Sequence, residues 1–480
     1  MDYKKIELKS GIEIHQQLNT NKLFCACPSK IRQDEPHFRI TRELRPLAGE
    51  LGEIDPAAIF ERKKRKYYVY EGYNDTTCDI ERDDEPPHLI NEDALNIALL
   101  IAKMLNCKFP DVVQVMRKTI INGSNVSGFQ RTALIGYDGF IETSFGKVGI
   151  QSVAIEEDAA RRTAENPESV TYRLDRLGIP LVEIATAPDC KTPEQVKEVA
   201  EKLGSLLRST GKVIRGIGTI RQDVNISIKG HPRVEIKGVQ ELPQMPKIVE
   251  LEVQRQMEEV KAKKKKLESH VRNVLPDLKT KFLRPMPGSA RMYPETDLPV
   301  IELDKDMISE IKLPDSPEKI KYDLHKLGLS HDLVEQLANS EYLQLFLKFV
   351  DKYKGISSNQ IATTIVVTTK EIKRKLKLAE FEPPEEAFDA IFKALANGEV
   401  VKESLPAILE DVAKDTREIT PEVIDLIISR YKLLSDLDLK KEIERLKIRY
   451  EGPPEKLIGF VMGQLRGKAD PQKIIALLRK

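Results

Sequence analysis

The residues best suited to chemistry stand at alternate positions within short apolar runs. In GIEIHQQL, Glu13 and His15 are two apart, so on an extended strand both point to one face and Ile12 and Ile14 to the other. The run IRQDVNISI repeats the pattern, with Arg221, Asp223, Asn225 and Ser227 opposite Val224, Ile226 and Ile228. After a turn at Gly230-His231-Pro232, RVEIK sets Arg233, Glu235 and Lys237 against Val234 and Ile236. Paired as a hairpin, the last two runs make a broad surface of Asp, Asn, Glu, Lys and Arg. That surface has two readings: the solvated face of an antiparallel sheet, or a reactive site.

Further carboxylates favour the second reading. AIEEDAARR carries Glu156, Glu157 and Asp158 directly after a strand-like run, and Glu183 lies inside the very apolar IPLVEIAT. An acid there is costly unless it is paired or bound to metal. Clustered carboxylates with one His suit Mg²⁺ held through oxygen and water. With Arg and Lys nearby, such a site can neutralise charge during phosphoryl transfer. No GxxxxGK loop is present, which excludes a P-loop ATPase. GSNVSGFQR (Gly123 to Arg131) is rich enough in Gly, Ser and Asn to wrap a phosphate or sugar, with Ser124, Asn125, Ser127 and Arg131 as candidate cofactor ligands. There is no GxSxG elbow and no cysteine in a glutaminase-like setting, so ammonia for any amide synthesis must come from elsewhere. Cys25 and Cys27, in FCACP, are either two ordinary thiols or the start of a zinc knuckle with Cys78 as third ligand; a second close ligand pair is missing.

At 480 residues the chain has room for two to four domains. Charged residues make up 32%, yet the net charge is only +1, so any RNA contact must be local. Five thinly spread cysteines make a poor disulfide framework, and no run is long and apolar enough to cross a membrane; both fit a reducing cytoplasm. Strand-like runs (IELKSGIEIHQQL, VGIQSVAIEED, IPLVEIAT, TIRQDVNISIK, PRVEIKGV) alternate with helical spacing over Ala94 to Leu105 and Val196 to Leu207. Thr192-Pro193-Glu194 starts the second helix and Gly211 ends it. A long charged helix is predicted from Ile248 to Glu268, closing on Lys261 and Lys263 to Lys266, a solvated end favoured by the helix dipole. Beyond Pro299 Leu, Ile and Ala recur at helical spacing, with a break near 410 to 422. In the tail, KKEIERLKIRY gathers Lys440, Lys441, Arg445, Lys447, Arg449 and Tyr450 around two acids. This is either a tRNA-binding patch or an ordinary charged helix face.

At these residues the chain resembles a known family. GIEIHQQLNTNKLFCACPS, RELRPLAGELGEIDP, VMRKTIINGSNVSGFQRTALI, EEDAARR, YRLDRLGIPLVEIATAPD, TIRQDVNISIKG, RVEIKGVQEL and ARMYPETDLP are similar to the GatB/GatE family of tRNA-dependent amidotransferase subunits, and to its archaeal branch in particular. The resemblance implies an α+β N-terminal cradle domain with a largely antiparallel sheet (1–300), an all-α helical domain (301–412) and a small all-α YqeY-like tail (413–480). It implies that ATP phosphorylates the γ-carboxylate of Glu on Glu-tRNA(Gln) and that ammonia displaces the phosphate. The ammonia would come from the asparaginase-like partner GatD, in a heterotetramer with two copies of both proteins. The family's metal and catalytic positions fall on Glu13, His15, Glu157, Glu183 and Asp223. Glu13, His15, Glu157 and Glu183 would hold Mg²⁺, and Lys237 and Arg221 would sit near phosphate or the acyl group. Arg291, Tyr293, Glu295 and Asp297 belong either to the site's rim or to a structural hairpin. One departure stands out: the archaeal branch inserts a domain resembling one in bacterial aspartyl-tRNA synthetases after the long helix, and here only a short link, 269–282, fills its place.

Overall fold

Along the strand β1 (Lys9–Gln17), Ile12 and Ile14 are buried while Glu13 and His15 are only half-buried, as expected where one sheet face meets a core. In the computed structural model every residue is described except 47, 49–51, 217, 263–266, 289–290, 339, 379–380, 416–418, 466–467, 470 and 479–480. The elements after β1 are β2 (Phe38–Arg42), α1 (Pro56–Arg62), β3 (Tyr67–Gly72), α2 (Glu92–Met104), β4 (Val112–Val113), β5 (Val115–Thr119), β6 (Phe129–Thr143) and β7 (Gly146–Glu157). Then come β8 (Arg161–Glu165), β9 (Ser169–Arg173), β10 (Pro180–Thr186), α3 (Pro193–Ser209), β11 (Ile220–Ser227), β12 (Val234–Lys237) and α4 (Met245–Lys261). The unit closes with β13 (His270–Val274), β14 (Thr280–Pro285), β15 (Met292–Pro294), β16 (Ile301–Glu302) and α5 (Lys305–Glu310).

Ten strands form the main sheet in the order β14-β13-β12-β11-β1-β10-β7-β6-β5-β15, antiparallel except between β12 and β13. A second sheet, β2-β3-β9-β8, has its own core of Tyr68, Tyr70, Tyr172 and Leu174. Helices α2, α3 and α4 cover one face of the main sheet, burying Ile14, Val182, Ile184, Val224 and Ile236 against Leu99, Leu203 and Val249. The other face carries the polar residues. Laid flat, ten strands would span about 43 Å at ~4.8 Å per step. Yet β14 and β15 are the two edges, and the chain from Pro285 to Met292 reaches at most about 25 Å. The sheet must therefore curl until its two edge strands come within reach of each other.

The helices at Ala94 to Leu105 and Val196 to Leu207 form as α2 and α3, the latter with the Thr192 side chain accepting from Gln195 N and Pro193 in the first turn. The hairpin expected from the two polar-faced runs forms as β11–β12, with Asn225 opposite Glu235. The long helix is shorter than predicted. It stops at Lys261, because His270 already pairs as a strand; the lysines at 263–266 lie outside the described residues. The short link at 269–282 is no loose tether: β13 and β14 form a hairpin added to the sheet edge, its turn closed by Leu275 N donating to Lys279 O at 2.8 Å.

Residues 1–314 and 315–480 separate as two compact units. Among its described residues the second contains no strand. Its helices are α6 (Pro317–Lys326), α7 (His331–Ala338), α8 (Leu343–Lys352), α9 (Ser358–Ala362), α10 (Thr369–Leu376), α11 (Glu385–Ala396), α12 (Leu405–Lys414), α13 (Pro421–Ser429), α14 (Asp436–Arg449), α15 (Leu457–Gln464) and α16 (Pro471–Leu478). A break near 410 to 422 does not separate the cores. Ile424, Ile427 and Ile428 of α13, at helical spacing, pack with α11 and α12, and a separate apolar cluster begins only at Leu434.

Candidate active site

Strand β1 lies at the centre of the polar face. Its Glu13 stands opposite Asp223 of β11, and His15 stands between Glu183 of β10 and Arg221 of β11. His15 Nε2 lies 3.1 Å from Glu183 Oε2, and ligand atoms of His15, Glu156 and Glu183 all fall within 4.8 Å of one another. A second group, Glu13, Asp223 and Glu235, meets the same limit. Lys237 bridges it, donating to Asp223 at 2.5 Å and lying 2.7 Å from Glu235, while Asn225 donates to Glu13 at 3.0 Å. Both groups line one cavity of about 700 Å³, together with Lys118, Asp158, Arg221 and Ser124.

Electrostatics distinguish the acids. Burial, reinforced by Glu235 and Glu183, raises the Glu13 pKa. Burial alone would lower that of His15, but the hydrogen bond and charge of Glu183 outweigh it and raise it. Glu183 stays well below the ordinary carboxylate range despite burial, because Lys118 and His15 face it. Asp158 is fully buried and also depressed. Burial opposes this, but Arg221 grips it with a two-pronged contact at 2.9 and 3.1 Å and Arg176 adds charge.

Two expectations need correction, and a third reading, left open by the sequence, divides. Glu157 does not join the group at His15. Successive strand residues point to opposite faces, so Glu156 enters the cavity and Glu157 turns towards the core side, where Arg131 donates to it from its backbone N at 3.0 Å. Burial raises the Glu157 pKa in spite of Arg131. Second, the GSNVSGFQR stretch does not present its polar residues as a set. Ser124 lines the cavity, but Asn125 is 1% exposed, the Ser127 hydroxyl donates to Phe129 O, and Arg131 lies 2.8 Å from Glu295. Third, ARMYPETD divides. Arg291 lines the cavity, whereas Tyr293 pairs with Arg117 on β5, and Glu295 and Asp297 bind Arg117.

Lys118 and the role of Glu156 are not foreseen from sequence. Lys118 contacts Glu156 and lies 3.5 Å from Glu183, and these acids keep it protonated against burial. The signal was present: Met116 and Lys118 share one phase of β5, and Gln130 and Thr132 share one phase of β6 opposite them. Nothing in the sequence says which strands are neighbours.

A separate cluster joins Cys25, Cys27, Cys78 and Glu81, whose ligand atoms lie within 4.8 Å of one another. Glu81 supplies the fourth group that sequence spacing lacked. Its carboxylate accepts from the Cys25 thiol at 2.8 Å and from Cys78 N at 2.7 Å. Hydrogen bonds from Cys25 and Cys27 pull the Cys78 thiol far down in pKa, and Cys25 is correspondingly raised. Three thiols and a carboxylate within reach of one another are the donor set of a metal site.

In the second unit, Lys440, Lys441 and Arg445 share a face of α14 with Ile448, which is 86% exposed. Lys447 sits at the edge of that face and pairs with Glu444 at 2.8 Å, and Arg449 ends the helix.

A curled, largely antiparallel sheet gathers two acidic groups, two lysines and several arginines into one cavity, and this part of the chain is the one a known catalytic domain matches. Residues 8–309 match the family described as GatB/GatE catalytic domain, and the chain belongs to the GatB/GatE family. It is similar to the glutamyl-tRNA(Gln) amidotransferase E subunit of Methanocaldococcus jannaschii, 37% identical over 630 positions that span 100% of this chain and 99% of the relative. The E-type protein of Pyrobaculum neutrophilum, of the same name, is 35% identical over 610 positions, spanning 99% and 98%. With 630 aligned positions facing 480 residues, at least 150 positions of the first relative have no counterpart here, although both chains are spanned almost end to end. Among the described residues no helix is long and apolar enough to cross a membrane.

Proposed function

We propose that this chain is the tRNA-handling, ATP-using component of a glutamyl-tRNA(Gln) amidotransferase. ATP phosphorylates the γ-carboxylate of the glutamyl group on Glu-tRNA(Gln), and ammonia then displaces phosphate to leave Gln-tRNA(Gln). The observation that carries this reading is the cavity with acids and cations on one sheet face, in a chain aligned end to end with glutamyl-tRNA(Gln) amidotransferase proteins of the E type. The donor set suits Mg²⁺: His15, Glu156 and Glu183 form one oxygen-rich group, with Glu13, Asp223 and Glu235 beside it. Mg²⁺ bound there would offset charge on the transferring phosphoryl group. Arg221, fixed by Asp158, faces the same space as a positive charge for phosphate or acyl oxygen. Lys237 keeps its proton between Asp223 and Glu235, so it too acts as a cation rather than a base.

No nucleophile for amide hydrolysis is apparent in the sequence, which supports ammonia supply by an asparaginase-like partner, GatD, in a cytoplasmic heterotetramer with two copies of both proteins. The helical segment from about Leu434 serves as the YqeY-like tail, with Lys440, Lys441 and Arg445 meeting tRNA phosphates. Zinc held by Cys25, Cys27, Cys78 and Glu81 would supply a structural cross-link between segments far apart in sequence.

The test is a transamidation assay with the partner protein, ATP, Mg²⁺ and Glu-tRNA(Gln). ATP hydrolysis should require both metal and charged tRNA, and Glu156→Gln should lower it by about a hundredfold or more while tRNA binding persists. Unaltered turnover in that variant would sink the proposal.

A further inference from the structure

Arg233, Arg284 and Arg291 line the cavity, and among the described residues none of the three forms an ion pair. This is unusual here, since nearly every other charge in the cavity is paired, Lys118 with Glu156, Lys237 with Asp223 and Arg221 with Asp158. Arg284 is the penultimate residue of β14 and Arg291 immediately precedes β15, so the two arginines stand where the chain leaves one sheet edge and reaches the other. Between them in the chain, Gly288 N donates to Asp55 Oδ2 at 2.9 Å, and Asp55 also caps α1. The best hydrogen bond of Arg291 is a long one, Nε to Thr119 O at 3.4 Å. Burial, and then the neighbouring Arg284, lower its pKa. Glu156, Asp55 and Glu235 offset part of that repulsion at longer range but form no ion pair with either guanidinium, so an anion bound between the two would still be stabilised.

We infer that Arg284 and Arg291, with Arg233 at the mouth, seat the phosphate chain of a nucleoside triphosphate. This rests on the proposed ATP-dependent reaction and deepens it by giving the nucleotide a location. These arginines are favoured over the Gly-Ser-Asn loop, whose polar groups are mostly spent internally. A triphosphate fits better than an RNA backbone, because its charge is concentrated enough to satisfy both arginines inside one cavity beside acids able to share a divalent cation.

The experiment is calorimetric titration of the full chain, with Mg²⁺ present, using a non-hydrolysable ATP analogue and inorganic tripolyphosphate as probes. Arg284→Gln and Arg291→Gln should each weaken both probes by about tenfold or more, since a charged hydrogen bond is lost. Arg291→Lys should fall between, and Lys281→Gln on the exposed side of β14 should change nothing. If wild-type chain binds both probes and the glutamine variants bind them equally well, this inference fails and the proposed function stands. If the variants lose only tRNA, the arginines hold a phosphodiester backbone instead and the inference fails. If wild-type chain binds neither probe, the inference falls together with the ATP-dependent reading. Should Arg291→Gln not fold, Arg284→Gln and Arg291→Lys decide it.

Discussion

Glu156 and Glu157 are adjacent in sequence and enter two ionic networks that face opposite ways. On the core side, Arg131 lies between Glu157 and Glu295, and Arg117 holds Glu295 and Asp297. The Arg131, Glu157 and Glu295 side chains of that network are almost fully buried, as expected of charges held for structure. On the cavity side, Lys118 is shared between Glu156 and Glu183, His15 leans on Glu183, and among the described residues Arg284 and Arg291 form no ion pair. A network that binds ligands must leave charge unspent, whereas a structural one does not. The contrast separates two carboxylates that a motif alone treats alike.

The largest effect that would test this contrast is on stability. Arg131→Met leaves Glu157 and Glu295 buried without their shared cation, which should cost about 3–5 kcal/mol. Thermal unfolding checks it, and a change within about 1 kcal/mol would erase the distinction between the faces. Next comes catalysis. Glu156→Gln should lower single-turnover amidation by about a hundredfold to a thousandfold, comparable to losing one transition-state contact, while shifting the melting temperature little. A drop in stability equal to that of Arg131→Met would place Glu156 in the structural class as well.

Acid titration sharpens the boundary between the networks. Asp158 and Glu295 both have folded pKa values below their ordinary ones. Burial opposes this, but Arg221 outweighs it for Asp158 and Arg117 does so for Glu295. A depressed carboxylate stabilises the fold above its unfolded pKa and loses that contribution as pH falls through the folded one. Stability should therefore decline as pH drops below about 4, and Asp158→Asn should flatten that decline. An unchanged pH profile in that variant would contradict the assignment. The cysteine cluster offers a test independent of both faces: elemental analysis should find one zinc per chain, lost in Cys78→Ser with a lower melting temperature. The smallest effect belongs to the tail. Replacing Lys440, Lys441 and Arg445 together should reduce the salt dependence of tRNA affinity by up to about three phosphate contacts, and equal slopes would return α14 to an ordinary charged face.

Local pattern alone determined much of this protein. Alternation along GIEIHQQL and IRQDVNISI put Glu13, His15, Arg221 and Asp223 on the polar face, because a strand has only two sides. Capping chemistry marked the start of α3, and helical spacing marked the helical half. Tertiary structure decided what needs neighbours. Strand order brought Lys118 and Glu156 to His15 across the sheet, and a fold-level approach of distant loops added Glu81 to three cysteines. Choosing between Glu156 and Glu157 needed the phase of β7 against its partners, since AIEEDAARR does not reveal where the strand ends. Side-chain spacing acts over a few residues and is written in the chain; contact across a sheet depends on pairings that no short segment encodes.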